Sequence, residues 1–216
     1  FQPRTNAINP GTTEATDFLV SVSDGVAAAI SDSNTRVTTT SVNDAPVITG
    51  AVANQTMNDD ATKAVFSTVT VIDPDNQAEF ARVTIPNGVN RGDFTSGSAT
   101  GWTRTVNGID IVYTRFFNAA SNNGATVQAA IRALLFQPRN NVTVGTTETT
   151  GFTIFVNDGL ANTSNSTTSV ITTGVAPRPA PVTAADLDYD VATVVVPAMK
   201  PVATSLLSRL QKKSRH

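Results

Sequence analysis

The chain has 216 residues, a net charge of −2, 40 % apolar residues, a single histidine (His216) and no cysteine. That length fits one to two domains, and the missing cysteines exclude disulfide staples and thiolate chemistry. One terminal histidine leaves no His-containing triad and no ordinary zinc site, the near-neutral charge offers no field to nucleic acid, and no stretch is long and apolar enough to cross a membrane as a helix.

Threonine, serine, asparagine, valine and alanine dominate, a composition of β-strands and turns. Residues 1–25 read FQPRTNAINPGTTEATDFLVSVSDG and return at 136–159 as FQPRNNVTVGTTETTGFTIFVNDG. Phe1 falls on Phe136, 135 residues on, Gly11-Thr12-Thr13-Glu14 on Gly145-Thr146-Thr147-Glu148, and Asp24-Gly25 on Asp158-Gly159. A period of that size is a domain, so the chain reads as a piece of a tandem array. The expected division is 1–46 as the C-terminal half of one repeat, 47–175 as a complete repeat, and 176–216 as a proline-rich linker with a basic tail. With neither an initiator methionine nor a signal peptide, the chain is expected to be a processed product or a piece of a longer one.

In the half-repeat, Phe18, Val20 and Val22 alternate with Leu19, Ser21 and Ser23, which predicts strands at about Asp17–Ser23 and Thr35–Val42. Two strands are too few to close a core. Asn43-Asp44-Ala45-Pro46 reads as a junction, because Pro46 ends the preceding strand. The complete repeat predicts strands at Ala64–Ile72, Ala78–Ile85, Trp102–Thr105 and Ile109–Thr114, the last two joined by a hairpin turn at Asn107-Gly108. Val127, Ala130, Ile131 and Leu134 follow a 3.6-residue period, so Thr126–Leu135 reads as one short helix capped by Thr126. Strands at Leu135–Pro138, Phe152–Val156 and Thr168–Thr173 follow. Ala176-Pro177-Arg178-Pro179-Ala180-Pro181 is a stiff linker. Beyond it come Asp186, Asp188 and Asp190, a strand-like run Val191–Val196, and a basic segment in which Val202, Leu206 and Leu210 share a helical face.

Three stretches carry a resemblance: Val69-Thr70-Val71-Ile72-Asp73-Pro74-Asp75, the run Phe152-Thr153-Ile154-Phe155-Val156-Asn157-Asp158-Gly159, and Val42-Asn43-Asp44-Ala45-Pro46. In order and spacing they resemble the Asp-x-Asp segment, the penultimate strand ending in Asp-Gly and the inter-domain linker of cadherin-like repeats of large bacterial surface and secreted proteins. The resemblance covers about 1–175 and implies an all-β, Greek-key β-sandwich (cadherin/Ig-like) with one short helix, and an extracellular, cell-surface location. It also implies Ca²⁺ at the junction, held by Asn43, Asp44, Asp73, Asp75 and Asp158, oxygen donors that suit a hard cation. Asp24 is the counterpart of Asp158. The Leu-Asp-Arg-Glu stretch of true cadherins is missing and Ser41 stands where an acid is usual, so one ion partly coordinated by water is expected rather than two or three. Turn-capping acids without metal are the plain alternative.

Several other features have ordinary readings. Arg91-Gly92-Asp93 matches an integrin-binding tripeptide in an expected loop, but Gly-Asp is a common turn. Lys63 with Glu148 could suggest a Lys–Asn cross-link, though a solvated lysine is the commoner arrangement. Asp59 and Asp60 are adjacent and point opposite ways in a strand. Trp102, Tyr113, Phe116 and Phe117 could stack on a sugar, yet so few aromatics usually form core. No nucleophile–base pair, phosphate loop or cofactor motif is present, so an enzyme is not expected.

Finally, Val202, Leu206 and Leu210 mimic Val127, Ile131 and Leu135, which precede Phe136. With Phe1, Val191 and Val195 they form an expected assembly interface, in which the tail of one subunit completes the half-repeat of the next. Completion by sequence upstream is the alternative. The chain therefore reads as a structural or adhesive module that self-associates, or else as a carbohydrate- or ligand-binding module of a larger secreted protein, with a cell-surface glycan as partner.

Overall fold

A computed structural model describes residues 1–4, 9–75, 77, 80–117 and 124–177. The first elements are β1 (Thr13–Val22), β2 (Ile30–Thr40), β3 (Val47–Thr49), β4 (Gln55–Asn58), β5 (Thr70–Ile72), β6 (Phe80–Ile85), α1 (Gly88–Arg91) and β7 (Gly92–Phe94). They are followed by β8 (Thr103–Asn107), β9 (Asp110–Phe116), α2 (Gly124–Arg132), β10 (Phe136–Pro138), β11 (Thr147–Gly151), β12 (Thr153–Asn157), β13 (Asn162–Asn165) and β14 (Ser169–Thr173).

The complete repeat is an all-β sandwich. One sheet has the order β13-β12-β6-β9-β8, antiparallel throughout; the other has the order β11-β14-β4, with β4 parallel to β14. Alternation sends Ala81, Val83 and Ile85 of β6, Ile111 and Tyr113 of β9, and Ile154 and Val156 of β12 to the inner face. Phe152 lies where the chain passes from β11 in one sheet to β12 in the other. Its ring meets Phe66, Phe94 and Phe136 at centroid distances of 5.4, 6.0 and 5.0 Å. Such edge-on and offset rings add to plain area burial.

The helix α2 buries Val127, Ala130 and Ile131 and clamps the strand that leads to the junction. Gln128 Oε1 accepts from the Val71 N–H (3.1 Å), and Arg132 Nε donates to Val69 O (2.6 Å). Only glycine permits this approach at Gly124, where a Cβ would sit 2.6 Å from Val71 O and 2.9 Å from Asp73 N. The turn after β5 is thus fixed by packing from behind.

Several local expectations are corrected. Ala64–Val69 forms successive tight turns, not strand: Ser67 N–H reaches Ala64 O and Val69 N–H reaches Phe66 O. Val65, Phe66 and Val69 are buried together, a spacing that extended chain would send to both faces. The helix runs Gly124–Arg132, so Thr126 is its third residue, not its cap, and Leu135 lies beyond its end. A second short helix, α1, beyond the one expected, follows β6 after Pro86 and Asn87. The hairpin is present, but its two loop residues are Gly108 and Ile109, with Gly108 at φ 62°.

The half-repeat is a two-stranded ribbon of β1 and β2. It copies the complete repeat closely. Gly11 and Gly145 both lie near φ 80°, and their N–H groups reach Ser41 O and Gly174 O (2.9 and 3.0 Å). Phe1 meets Phe18 edge-on at 5.1 Å and 87°, as Phe136 meets Phe152 at 5.0 Å and 83°.

Candidate metal centre at the junction

The site grows from an acidic turn at the end of β5. The Asp75 N–H donates to Asp73 Oδ1 (3.0 Å), a short loop closed by its own side chain. The linker crosses this turn with Pro46 buried. The Asp44 N–H donates to Asp75 Oδ2 (2.6 Å), and Asn43 Nδ2 donates to Asp158 Oδ2 (2.9 Å). Asp158 is itself fixed from the other side, since its Oδ1 accepts from the Leu160 N–H (2.8 Å) and from the Ala161 N–H. Residues 115 positions apart are brought into contact by this one linker.

All five expected ligand residues therefore meet at one rim, but in unequal roles. Asp73 and Asp158 are only 4 % and 3 % exposed. Asp44 enters through its main-chain N–H while the residue itself is exposed. Among the described residues, three buried oxygens at the junction have no hydrogen-bond partner: Asn43 Oδ1, Asp73 Oδ2 and Asp75 Oδ1. A buried acceptor without a donor costs about 1–3 kcal/mol, so three together are unusual. Burial raises the Asp73 carboxyl pKa from its ordinary value, the Asp158 and Asp75 charges push the same way, and the N–H groups of Asp75 and Gln77 offset this only in part.

Oxygen donors with unspent lone pairs and excess negative charge fit a hard divalent cation. Among the described residues, no three acidic or histidine side chains converge as one metal-holding group. An ion here would need the Asn43 amide oxygen and water beside the carboxylates. The counterpart Asp24 keeps the same loop-capping role: the Val26 and Ala27 N–H groups reach its Oδ1 (3.0 and 2.9 Å) and lower its pKa.

The remaining sequence candidates are placed as follows. Arg91-Gly92-Asp93 is not a loop; it spans the end of α1 and the start of β7. Asp93 accepts from Tyr113 Oη (2.6 Å) and Arg104 Nε (2.7 Å), and Arg91 pairs with Glu148 at 3.0 Å. Both charges of the tripeptide are spent inside the fold. Glu148 also accepts from Arg139, so its carboxylate serves an arginine pair. Asp59 is buried and accepts from the Val175 N–H (3.0 Å), while Asp60 is exposed. Of the assembly residues, Phe1 is exposed, and Val191, Val195, Val202, Leu206 and Leu210 lie outside the described residues.

One surface was not anticipated from sequence. Tyr113 is core, and Trp102 and Phe117 pack against it, but Phe116 is 80 % exposed. Phe80 lies 4.9 Å from Phe116 and 6.1 Å from Phe155, and Arg82 stands over the Phe155 ring at 4.6 Å. This aromatic strip runs across the outer face of β12, β6 and β9. Its signal was the phase of alternation: in β6 and β12 the phenylalanines occupy the positions between the buried ones.

Comparison with known proteins found no family model that matches the chain and no similar curated protein.

Proposed function

We propose that the chain is a non-catalytic, extracellular spacer module of cadherin-like type, in which a calcium ion stiffens the junction between residues 1–46 and the complete repeat. The observation that carries this reading is the trio of buried oxygens on Asn43, Asp73 and Asp75 that have no partner among the described residues, gathered where the linker crosses the repeat. The parallel pairing of β4 with β14, and the recurrence of the Asp-Gly loop in both copies, support a tandem design. Extracellular modules bind calcium at about 10⁻⁴–10⁻³ M, which a partial, water-assisted site can reach. Such modules act by holding a distance and angle, so the protein would serve in a tandem or head-to-tail assembly.

Limited proteolysis tests the reading. Calcium should protect the 42–46 linker from cleavage and a chelator should restore cutting at the same bonds. Equal cutting under both conditions would remove calcium from the junction.

A second reading, glycan or ligand binding, is favoured by the strip of exposed Phe116 with half-buried Phe80 and Phe155, since aromatic faces stack on sugar rings. Retention on an immobilised polysaccharide that Phe116→Ala abolishes would support it; retention unchanged by that substitution, or none at all, would not.

A further inference from the structure

The half-repeat copies the complete repeat register for register, which makes its uncovered face legible. In β11–β14 Thr150 pairs with Val170, and in β12–β13 Ile154 pairs with Asn165, a shift of one residue across Phe152. The ribbon has the same shift: Phe18 pairs with Thr35 and Val20 with Asp32. Val20 and Val22 thus stand where Ile154 and Val156 stand. In the complete repeat β6 lies along β12, with Val83 opposite Ile154 and Ala81 opposite Val156, and all four side chains are 0 % exposed. On the ribbon, Val20 is 50 % and Val22 68 % exposed, and among the described residues β1 pairs with no strand but β2.

The chain carries a second segment with the pattern of β6. Phe80-Ala81-Arg82-Val83-Thr84-Ile85-Pro86 is matched by Val191-Ala192-Thr193-Val194-Val195-Val196-Pro197. Alanine, valine, a β-branched aliphatic and proline coincide at the second, fourth, sixth and seventh places. The first three are the places β6 turns inward, and in both segments a small alanine is followed there by two β-branched aliphatic residues. Proline then stops the ladder where no N–H is wanted.

We propose that residues 191–197 of one copy add as an antiparallel strand to the free edge of β1 in a second copy, in the register of β6 on β12. Val194 then lies opposite Val20, Thr193 opposite Ser21 and Ala192 opposite Val22. Added strands satisfy open main-chain groups and cover apolar side chains in one step. Val22 and Ile30 pair at the tip of the ribbon, away from the Thr13–Thr40 end that adjoins the linker. Acceptor and donor are different segments, well separated in the sequence, so the contact is heterologous and propagates head to tail. The inference deepens the assembly part of the function proposed above and does not depend on calcium.

Sedimentation velocity on the full chain tests it, from about 1 to 100 µM because mass action governs the outcome. The unmodified chain should grow in mass with concentration, while Val22→Lys and Val194→Lys each stay at the 22.5 kDa of one chain. Mixed in equal amounts, the two variants should form a two-chain species and nothing larger, because each supplies the element the other lacks. The unmodified chain remaining at one-chain mass, either variant assembling alone, or a mixture without dimer would overturn the proposal. Both substitutions lie outside residues 47–175, and an unchanged melting midpoint confirms that the complete repeat is folded. A calcium-dependent midpoint retained in Val22→Lys separates failure of assembly from failure of the calcium junction.

Discussion

Asp73→Asn should change stability in opposite directions with and without calcium. Without calcium, Asp73 holds a charge that is almost wholly buried, with one oxygen unpartnered and the Asp158 and Asp75 charges nearby. Asparagine removes the charge, keeps an oxygen for the Asp75 N–H, and offers a donor to the surrounding carboxylates. Relief of one unsatisfied buried acceptor is worth ~1 kcal/mol or somewhat more. With calcium at ~10 mM and a dissociation constant of ~0.1–1 mM, the unmodified chain gains ~1.4–2.7 kcal/mol by mass action, and the variant forgoes it. For a repeat of this size that gain is ~4–12 °C in melting midpoint. Melting followed by circular dichroism at pH 7 in calcium and in chelator should therefore show the variant above the unmodified chain in chelator and below it in calcium. The pH dependence has a definite sign. The folded chain holds the Asp73 proton more tightly than the unfolded chain does, so the Asp73 contribution to calcium-free stability is greatest at acid pH. It falls as pH rises from the ordinary value of 3.8 through the raised folded value. Calcium, which needs the ionised carboxylate, removes that fall. A variant that melts lower by the same amount in both media would refute this reasoning and make Asp73 a turn residue.

Other substitutions probe the frame around the site. Phe152→Ala should cost ~3–5 kcal/mol in the complete repeat, while Phe18→Ala, its counterpart on the uncovered ribbon, should shift the same denaturant midpoint by less than ~0.5 kcal/mol. Gly92→Ala puts a Cβ 2.5 Å from Gln137 O at φ 138°, so it should cost ~2–3 kcal/mol by urea unfolding. Tyr113 has a raised pKa, first from burial and then from its bond to Asp93. Its contribution is complete below the ordinary tyrosine value of ~10 and is lost as pH rises through the folded value. Tyr113→Phe should flatten that alkaline loss and cost ~1 kcal/mol at neutral pH.

The internal copy made the half-repeat, the complete repeat and the Asp-Gly loop legible in the sequence, because identical turns need identical residues: a glycine near φ 80° before each strand, and an aspartate capping each loop. Alternation found β1, β6, β9 and β12. It could not find β4, Gln55–Asn58, with a single apolar residue, Met57, or β13, Asn162–Asn165, with none; both strands are held by main-chain pairing, to β14 and β12. It misread Ala64–Val69, where apolar residues follow one another in turns. At the site, the Asp-x-Asp spacing pointed to the right turn, but the direct contact of Asn43 with Asp158 depends on how the linker crosses the rim. Nor does any local pattern distinguish Asp44 acting through its N–H from Asp44 acting through its carboxylate. For the same reason Arg91-Gly92-Asp93 was expected in a loop, whereas its charges are consumed by Glu148, Arg104 and Tyr113 from elements distant in sequence.

Calcium at the junction is most directly tested by equilibrium dialysis of metal-stripped full chain against labelled calcium, with magnesium as competitor. The account predicts saturation near one ion per chain, at a dissociation constant of ~0.1–1 mM. Magnesium should displace it poorly, because that ion demands a tighter octahedral shell and gives up its waters reluctantly. Occupancy that stays near zero up to ~10 mM calcium, well above the extracellular-module range, would contradict it and leave the three buried oxygens of Asn43, Asp73 and Asp75 without their proposed partner.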